Sequence, residues 1–262
     1  MAYSTIELER DGDVAIIRLN DPATLNAVTL KTVEEIVSAL DEISGSTRAM
    51  VLTGAGRSFC SGANLSSGMG ARPAGGPMDA GSVLESHINP LMLRLRDAPF
   101  PWVSAVKGSA AGVGCSFALA ADMVVCGESA FFLQAFARIG LVPDGGSSWL
   151  LSRSIGRNRA MEMMLLGERI PAHKAMEWGM VNRIVQDEQV MPAAMELAKK
   201  LAAGPTKSLA MIRRMAWSAA DASFEEAMST ERNNQRQAGA TKDHREGVAA
   251  FLAKRAPNFT GA

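Results

Sequence analysis

Strand-like and helix-like segments alternate through the first 190 residues of this 262-residue chain, and this alternation limits the possible folds more than any other feature. Residues 6–10 and 14–19 flank Asp11-Gly12-Asp13 and predict two strands joined by a tight hairpin turn. From Thr29 onward, apolar residues recur at three- and four-residue steps, which predicts a helix that begins after a polar cap. Repeated alternation of this kind indicates an α/β fold with a largely parallel sheet.

The pattern changes near residue 190. Up to that point we predict strands over residues 50–53, 102–106 and 123–126, with helices over residues 83–96 and 112–121. Beyond it, apolar periodicity predicts only helices, over residues 190–201, 208–219, 224–232 and 245–254. The sequence therefore predicts a core domain of residues 1–190 and a helical C-terminal subdomain of residues 191–262.

Charge and composition exclude several classes of function. The 27 basic and 27 acidic residues balance, so no net field favours nucleic acid or an anionic membrane surface. No leader pattern or long apolar segment is present, and we expect a cytoplasmic protein. The three cysteines and three histidines show no ligand spacing, so no metal is predicted.

Residues 66–81 are rich in glycine and proline and lack an apolar period, which predicts a loop. A disordered spacer is one interpretation. An active-site lid is the other, and we favour it because the segment directly follows a glycine-rich passage.

Two glycine-rich passages adjoin predicted strands. In residues 54–65, Gly62 allows a sharp turn that leaves the amide of Ala63 free to donate outward, although a plain surface turn would use the same residues. In residues 107–120, small residues lead from a strand into a helix whose first amides can receive negative charge. Close packing of helix on strand is the alternative for this second passage.

A third passage, residues 136–151, contains Asp144 between Pro143 and two glycines, just before a predicted helix. A carboxylate at this position is either a reactive group or an ordinary helix N-cap. For Asp144 taken alone, the cap is favoured by about three to one.

In their order and spacing, these passages resemble the crotonase (enoyl-CoA hydratase/isomerase) family across essentially the whole chain. The family pattern FCxGADL is similar to Phe59-Cys-Ser-Gly-Ala-Asn-Leu65, and NGxAxGGGxxLAxxxD is similar to residues 107–122. Residues 246–259 resemble the C-terminal signature of the family. The resemblance implies a crotonase (ClpP-like) spiral of ββα units, with a helical C-terminal subdomain that mediates trimerisation into a homotrimer or a dimer of trimers.

The resemblance also implies the chemistry. The backbone amides of Ala63 and Val113 would form an oxyanion hole for the thioester oxygen of an acyl-CoA substrate. The coenzyme A thioester is then the substrate, and no cofactor is implied. The resemblance assigns substrate or coenzyme A binding to Leu25, Asn26, Ala27, Ser61, Gly62, Ala63, Asn64, Leu65, Gly112, Phe136, Phe251 and Lys254.

The type of reaction depends on carboxylates. Hydratases of the family carry two glutamates, and the matching positions here are Ser116 and Phe136, neither of which is a carboxylate base. Asp144 matches the catalytic acid of the Δ3,Δ2-enoyl-CoA isomerases, and one carboxylate is sufficient for a 1,3-proton shift. We expect burial to raise its pKa. Residues 140–151 and 249–261 look similar to the epoxyphenylacetyl-CoA isomerase type.

Three positions depart from the family pattern: Asn64 stands for the usual Asp, Lys107 for Asn, and Val113 for a frequent Gly. None of these changes removes a backbone amide. We predict an isomerase that uses Asp144, with an enoyl-CoA hydratase as the alternative.

Thioester hydrolysis and non-catalytic binding are two further alternatives. Thioester hydrolysis by Ser116 would need a histidine, but His87, His173 and His244 occur in contexts typical of solvated or capping residues. A non-catalytic crotonase-fold protein that binds coenzyme A or RNA is the alternative of another class. The carboxylate of Asp144 favours an enzyme, and the absence of a basic aromatic patch disfavours RNA.

Overall fold

The computed structural model describes residues 3–67 and 79–262, so residues 68–78 of the predicted lid lie outside the described residues. Its main sheet has six strands in the order β1-β2-β3-β4-β6-β9. These strands are β1 (Ile6–Asp11), β2 (Val14–Leu19), β3 (Ala49–Gly54), β4 (Trp102–Val106), β6 (Met123–Gly127) and β9 (Arg183–Val185). Strand β1 is antiparallel to β2, and the other neighbours are parallel, which confirms the predicted largely parallel sheet.

A second sheet of three short strands was not predicted. It consists of β5 (Ser109–Ala111), β7 (Phe131–Leu133) and β8 (Ile170–Pro171). Strand β5 pairs in parallel with β7, which pairs antiparallel with β8. Because each strand has only two or three residues, none is long enough to show the alternation from which a strand is inferred.

The first helix shows why the sequence folds as it does. Helix α1 (Leu30–Ile43) begins at the predicted cap, Thr29, whose side chain accepts a hydrogen bond from the amide of Thr32. Val33, Ile36, Leu40 and Ile43 are buried on one face, at the predicted three- and four-residue steps. Full burial of a side chain of this size contributes about 1.5–3 kcal/mol, so this face attaches the helix to the sheet.

The remaining predicted helices are all present, whereas the helices over residues 156–166 and 172–177 were not predicted. The helix expected over residues 83–96 is a continuous helical run with a π-helical segment (Leu84–Ile88) between two α-helical pieces. The α-helices are α2 (Ala80–Val83), α3 (Asn89–Arg96), α4 (Val113–Leu119), α5 (Ser147–Ser154), α6 (Gly156–Leu166), α7 (Ala172–Glu177), α8 (Val190–Ala202), α9 (Thr206–Ala219), α10 (Phe224–Gly239) and α11 (Lys242–Leu252).

Apolar cores lie on both faces of the main sheet. The larger one includes α1, α3 and α4, and it contains the fully buried Trp102, Phe117 and Phe132. On the other face, α8 packs against β2, β3, β4 and β6. Burial on both sides explains why the central strands are continuous apolar runs rather than alternating ones.

The C-terminal region is helical, as predicted. The buried Arg213 of α9 joins it to the core, since its guanidinium donates to Asp122 at 2.5 Å and to the carbonyl of Ala98 at 2.6 Å. The domain boundary and the role in trimerisation stay predictions. Over residues 3–67 and 79–262, none of the helices combines the length and the apolar character needed to span a membrane.

Candidate active site

Two glycines from separate passages meet where the strands end. A Cβ atom placed on Gly112 would lie 3.8 Å from the Cα of Gly62, and one placed on Gly62 would lie 3.0 Å from the carbonyl oxygen of Ala111. Both glycines also have positive φ angles, +102° and +51° for Gly62 and Gly112. Only glycine allows so close an approach in this conformation. The approach brings together the next residues along the chain, Ala63 and Val113.

The amide of Ala63 is left free by its strand-like contact with Val28. The amide of Val28 donates to the carbonyl of Gly62 at 2.8 Å, and the amide of Asn64 donates to the carbonyl of Val28 at 2.8 Å. These two bonds use the carbonyl of Gly62 and the amide of Asn64, which both point toward Val28. Backbone groups of an extended strand alternate in direction, so the N–H of Ala63 points away from Val28. Among the described residues, that N–H has no acceptor.

The amide of Val113 is the first of helix α4. Gly112 is the N-cap of this helix and offers no side-chain acceptor. The first amides of a helix lack partners within it, and the Val113 amide has no acceptor in the described part of the chain. The structure thus brings two unpaired amides close together, as the oxyanion-hole prediction requires.

The stretch predicted to lie along coenzyme A supports the loop that carries Ala63. Leu25 and Asn26 both have φ of +58°, an unusual conformation for residues with side chains. The side chain of Asn26 is 2 % exposed and donates to the carbonyls of Ala55 and Ser58 at 2.9 and 2.7 Å. Asn26 therefore lies beneath the loop and positions it.

Ser61 joins the same two stretches. Its amide donates to the carbonyl of Leu25 at 3.0 Å, and its hydroxyl donates to the carbonyl of Thr24 at 2.9 Å. Ala27, partly exposed, completes this stretch, and Leu65 is 66 % exposed just before the undescribed residues. The bonds of Ser61 therefore hold the backbone of Thr24 and Leu25 against the loop that carries Ala63.

Phe136 closes the opposite side of the amide pair. Its ring Cζ lies 3.6 Å from the position of a Cβ on Gly112. Of the two phenylalanines on the nearby strand β7, Phe132 is fully buried in the core, and Phe131 lies under the guanidinium of Arg169. Phe136 is therefore the phenylalanine that reaches the amide pair.

Asp144 lies in the loop before α5, but it does not cap that helix. The N-cap residue is Gly146, so the cap interpretation was wrong. The Oδ1 atom of Asp144 is buried and has no hydrogen-bond partner among the described residues, and burial raises the pKa of this carboxyl to about 6. The expected direction of the pKa shift is confirmed, and its cause is desolvation.

The backbone of Asp144 is firmly held. Its carbonyl accepts hydrogen bonds from the amide and hydroxyl of Ser147, at 3.0 and 2.8 Å, and from the hydroxyl of Ser116 at 3.0 Å. Ser116 belongs to α4, the helix that begins with the Val113 amide. The sequence did not indicate this contact, because it joins residues 28 positions apart.

The hydroxyl of Ser116 contacts carbonyl oxygens, and no histidine is recorded beside it among the described residues. His87 bonds to Ser86 on the π-helical segment, and His173 and His244 are exposed. This arrangement disfavours a hydrolytic serine–histidine pair. In the described ranges, no cluster of three or more His, Cys, Asp or Glu side chains is placed to bind a metal.

Phe251 and Lys254 lie in the C-terminal region. Phe251 is 82 % exposed and lines a cavity of about 930 Å³ between α9, α10 and α11. Lys254 follows α11 with φ of +50°. No recorded contact within the described part joins either residue to the amide pair, and their role in coenzyme A binding stays a prediction.

A second cavity, of about 560 Å³, borders the glycines that follow Asp144. Its walls come from α3, α5 and α9, and they include Trp149 stacked on Trp217 with ring centroids 4.9 Å apart. No sequence pattern predicts this cavity, because its walls come from three segments that are distant along the chain.

Comparison with known proteins places these features in a family context. Residues 9–262 match the family described as Enoyl-CoA hydratase/isomerase. The chain is 42 % identical over 250 residues to the 1,2-epoxyphenylacetyl-CoA isomerase of Escherichia coli K12, with 95 % of each chain covered. It is 39 % identical over 261 residues to a Rhodobacter capsulatus protein named "Probable enoyl-CoA hydratase", with both chains fully covered. The 2,3-dehydroadipyl-CoA hydratase of Escherichia coli K12 is 31 % identical over 260 residues, covering 98 % of this chain and 99 % of that one.

Solved structures of enoyl-CoA hydratases are similar to this chain over nearly its full length. An enoyl-CoA hydratase from Bacillus anthracis superimposes with a TM-score of 0.92 at 28 % identity, over 99 % of this chain and 100 % of that one. An enoyl-CoA hydratase from Polaromonas sp. JS666 superimposes with a TM-score of 0.89 at 31 % identity, over 97 % and 99 % of the two chains. The likeness therefore extends from the N-terminal hairpin to the C-terminal helices.

Proposed function

This chain belongs to the enoyl-CoA hydratase/isomerase (crotonase) family, and from that premise we propose that it is an acyl-CoA isomerase with Asp144 as its acid-base group. The family and fold predicted from the sequence are confirmed by the comparisons. One observation carries the finer proposal. The carboxyl of Asp144 is desolvated, its Oδ1 has no hydrogen-bond partner within residues 3–67 and 79–262, and burial raises its pKa to about 6.

We propose that the substrate thioester oxygen accepts hydrogen bonds from the amides of Ala63 and Val113. These amides are fixed by the approach of Gly62 and Gly112, so they need no rearrangement when negative charge develops on the oxygen. Preorganised donors of this kind stabilise an enolate more than the uncharged ground state, and losing one typically costs about 100-fold or more in rate.

In the proposed reaction, the ionised Asp144 removes a proton from the carbon between the thioester carbonyl and the double bond. The electron pair of that C–H bond moves into a dienolate, whose charge rests on the thioester oxygen. Asp144 then returns the proton to the far carbon of the former double bond. Because a pKa of about 6 is close to neutral pH, the same group can both accept and donate the proton.

Aromatic side chains near the amide pair and the Asp144 loop suggest the type of acyl group that the site would bind. Phe136 lies beside the amide pair, and the cavity lined by Trp149 and Trp217 borders the Asp144 loop. Apolar and aromatic walls suit an unsaturated or ring-containing acyl group. The relative named 1,2-epoxyphenylacetyl-CoA isomerase makes a ring epoxide the second substrate to test.

Hydration of an enoyl-CoA is the second candidate function, because other relatives bear hydratase names. The two positions that match the hydratase glutamates are Ser116 and Phe136, so neither supplies a carboxylate. Ser116 is fully buried, and its hydroxyl donates to the carbonyl of Asp144. The lack of a carboxylate at these two positions supports the isomerase over the hydratase.

We also propose that the protein is a homotrimer or a dimer of trimers. Its C-terminal helices expose large apolar side chains, including Phe224, Phe251 and Leu252, which are 73 %, 82 % and 75 % exposed. Side chains of this size at such exposure favour an interface. The cytoplasmic location stays a prediction.

The test is to incubate the purified protein with a 3-enoyl-CoA and follow the conjugated 2-enoyl thioester. The Asp144→Asn variant removes the proton acceptor and is expected to lower kcat by about 10²–10⁴-fold. Asp41→Asn, which changes an exposed carboxylate on α1 that pairs with Arg94, is the control and is expected to retain the wild-type rate.

Parallel incubations separate the alternatives. Formation of 3-hydroxyacyl-CoA from a 2-enoyl-CoA would identify a hydratase, and turnover of 1,2-epoxyphenylacetyl-CoA would identify the ring substrate. If Asp144→Asn isomerises as fast as the wild type, Asp144 is not the proton carrier and the proposal is wrong. If no substrate is converted but a coenzyme A thioester binds, the non-catalytic alternative replaces it.

A further inference from the structure

We infer that Ser116 is a positioning residue, whose hydroxyl holds Asp144 at a fixed place relative to the Val113 amide. The inference rests on the proposed function, because it assumes that Asp144 moves the proton while Val113 helps to hold the enolate oxygen. It assigns a role to the position where hydratases of the family carry a glutamate.

The hydrogen bond is the first argument. Ser116 is fully buried, with 0 % of its surface exposed, and its hydroxyl donates to the carbonyl of Asp144 at 3.0 Å. The same hydroxyl lies 3.5 Å from the carbonyl of Gly112, at the outer limit for a hydrogen bond. The bond to Asp144 is therefore the stronger of the two contacts.

The packing around Gly145 is the second argument. A Cβ atom on Gly145 would lie 2.8 Å from the Cβ of Ser116 and 3.5 Å from a methyl group of Val113. The φ angle of Gly145 is +57°, which also favours glycine. The backbone next to Asp144 thus rests directly on the first turn of α4.

Together, the two contacts connect the halves of the proposed active site. Helix α4 begins with the Val113 amide, and one turn later Ser116 holds the loop that carries Asp144. In a proton transfer, the distance from the carboxylate to the substrate carbon must be held closely, and a displacement of about 1 Å can cost about 100-fold in rate. The hydroxyl of Ser147 bonds to the same carbonyl, but from the first residue of α5, only three positions along the chain, and not from α4.

Ser147 therefore supplies a matched control. Ser116→Ala and Ser147→Ala each remove one hydroxyl from the Asp144 carbonyl, but only the first removes the link to α4. We expect Ser116→Ala to lower kcat for the 3-enoyl-CoA about tenfold, with KM changed by less than about twofold. Ser147→Ala is expected to lower the melting temperature comparably and to leave kcat within about twofold.

Ser116→Cys extends the test, since a thiol has nearly the same shape as the hydroxyl but is a weaker donor. We expect its kcat to lie between those of the wild type and Ser116→Ala. If Ser116→Ala does not fold, the Cys variant alone decides, and a wild-type kcat in that variant would overturn the inference.

The outcomes separate this inference from the function on which it rests. If Asp144→Asn is inactive and Ser116→Ala keeps the wild-type kcat, the isomerase stands and the positioning role is wrong. Equal losses of kcat in Ser116→Ala and Ser147→Ala would also overturn it, since both hydroxyls would then merely stabilise the turn. Full activity of Asp144→Asn would instead remove the proposed function itself.

Discussion

Two carboxylates in different regions of the molecule, the buried Glu35 and the partly buried Asp144, have opposite surroundings. Glu35 on α1 accepts hydrogen bonds from the amides and hydroxyls of Ser4 and Thr5, at 2.7–3.1 Å. Asp144 has a buried Oδ1 atom that no donor in the described part of the chain reaches. One carboxylate attaches the N-terminal segment to the first helix, and the other is left available for chemistry.

The pKa values follow from this difference. Burial raises the pKa of Glu35, but the hydrogen bonds from Thr5 and Ser4 outweigh it and lower the pKa to about 2. At Asp144, burial acts without such bonds, and the pKa rises to about 6. Burial alone therefore does not distinguish a structural carboxylate from a reactive one. The supply of donors around it does.

The two groups also change stability with pH in opposite directions. Glu35 has a lowered folded-state pKa, so it contributes stability above about pH 4.5 that is lost as the pH falls toward 2. Asp144 has a raised pKa, so its ionisation disfavours the folded state, fully above about pH 6 and not at all below about 3.8. Ionisation of Asp144 in the candidate active site therefore lowers the free energy of unfolding, whereas ionisation of Glu35 raises it.

The largest expected effect is on the acid side of the activity profile. If Asp144 must be ionised to accept a proton, kcat/KM for a 3-enoyl-CoA should fall about tenfold per pH unit below about 6, or about 100-fold between pH 7 and pH 4. Stopped assays over this range, with circular dichroism to confirm folding, measure it. A flat profile down to pH 5 would show that Asp144 is not the base.

The second effect concerns Glu35. Glu35→Gln removes the charge that its four donors stabilise and should lower the free energy of unfolding by about 2–3 kcal/mol at pH 7, with kcat unchanged. The difference from the wild type should shrink as the pH falls below about 4.5, where the wild-type Glu35 contribution is also lost. Urea unfolding at several pH values measures both. If the loss of unfolding free energy in Glu35→Gln does not depend on pH, then the packing of this side chain, and not its charge, stabilises the contact with Ser4 and Thr5.

The third effect concerns the backbone beside Asp144. Gly145→Ala adds a methyl group 2.8 Å from Ser116 in a strained conformation, whereas Gly146→Ala, at φ of +76°, adds one with no atom within 4 Å. Backbone strain affects both variants, but crowding affects only the first. We therefore expect the free energy of unfolding of Gly145→Ala to be about 2 kcal/mol lower than that of Gly146→Ala. Thermal unfolding compares them directly, and equal stabilities would show that the loop moves easily away from α4.

The sequence predicted most elements of the fold for a clear physical reason. Helix α1 and the strands β2, β3 and β4 are long enough to show their periodicity and are stabilised mainly by apolar burial. Strands β5, β7, β8 and β9 were missed, because each has only two or three residues. The absence of periodicity in a short segment is thus weak evidence against a strand.

The candidate site was predictable in part. The residues Ala63, Val113 and Asp144 were identified through the family resemblance, and the structure shows the two unpaired amides and the desolvated carboxyl. The hydrogen bond of Ser116 and the supporting role of Asn26 were not predicted. Both depend on contacts between distant segments, which the order of residues does not reveal.

The smallest effect tests what lowers the pKa of Glu35. Lys31, one helical turn earlier, lies 3.2 Å from the carboxylate, but its side chain is 61 % exposed. An exposed pair of this spacing contributes only about 0.3–0.5 kcal/mol, so Lys31→Ala should lower the free energy of unfolding by less than about 0.5 kcal/mol. Comparing Lys31→Ala with Thr5→Val, which removes one hydroxyl donor to Glu35, separates ion pairing from hydrogen bonding. If the lysine variant loses more stability, the nearby charge and not the hydrogen bonds keeps Glu35 ionised, and the contrast with Asp144 would depend on a missing cation rather than on missing donors.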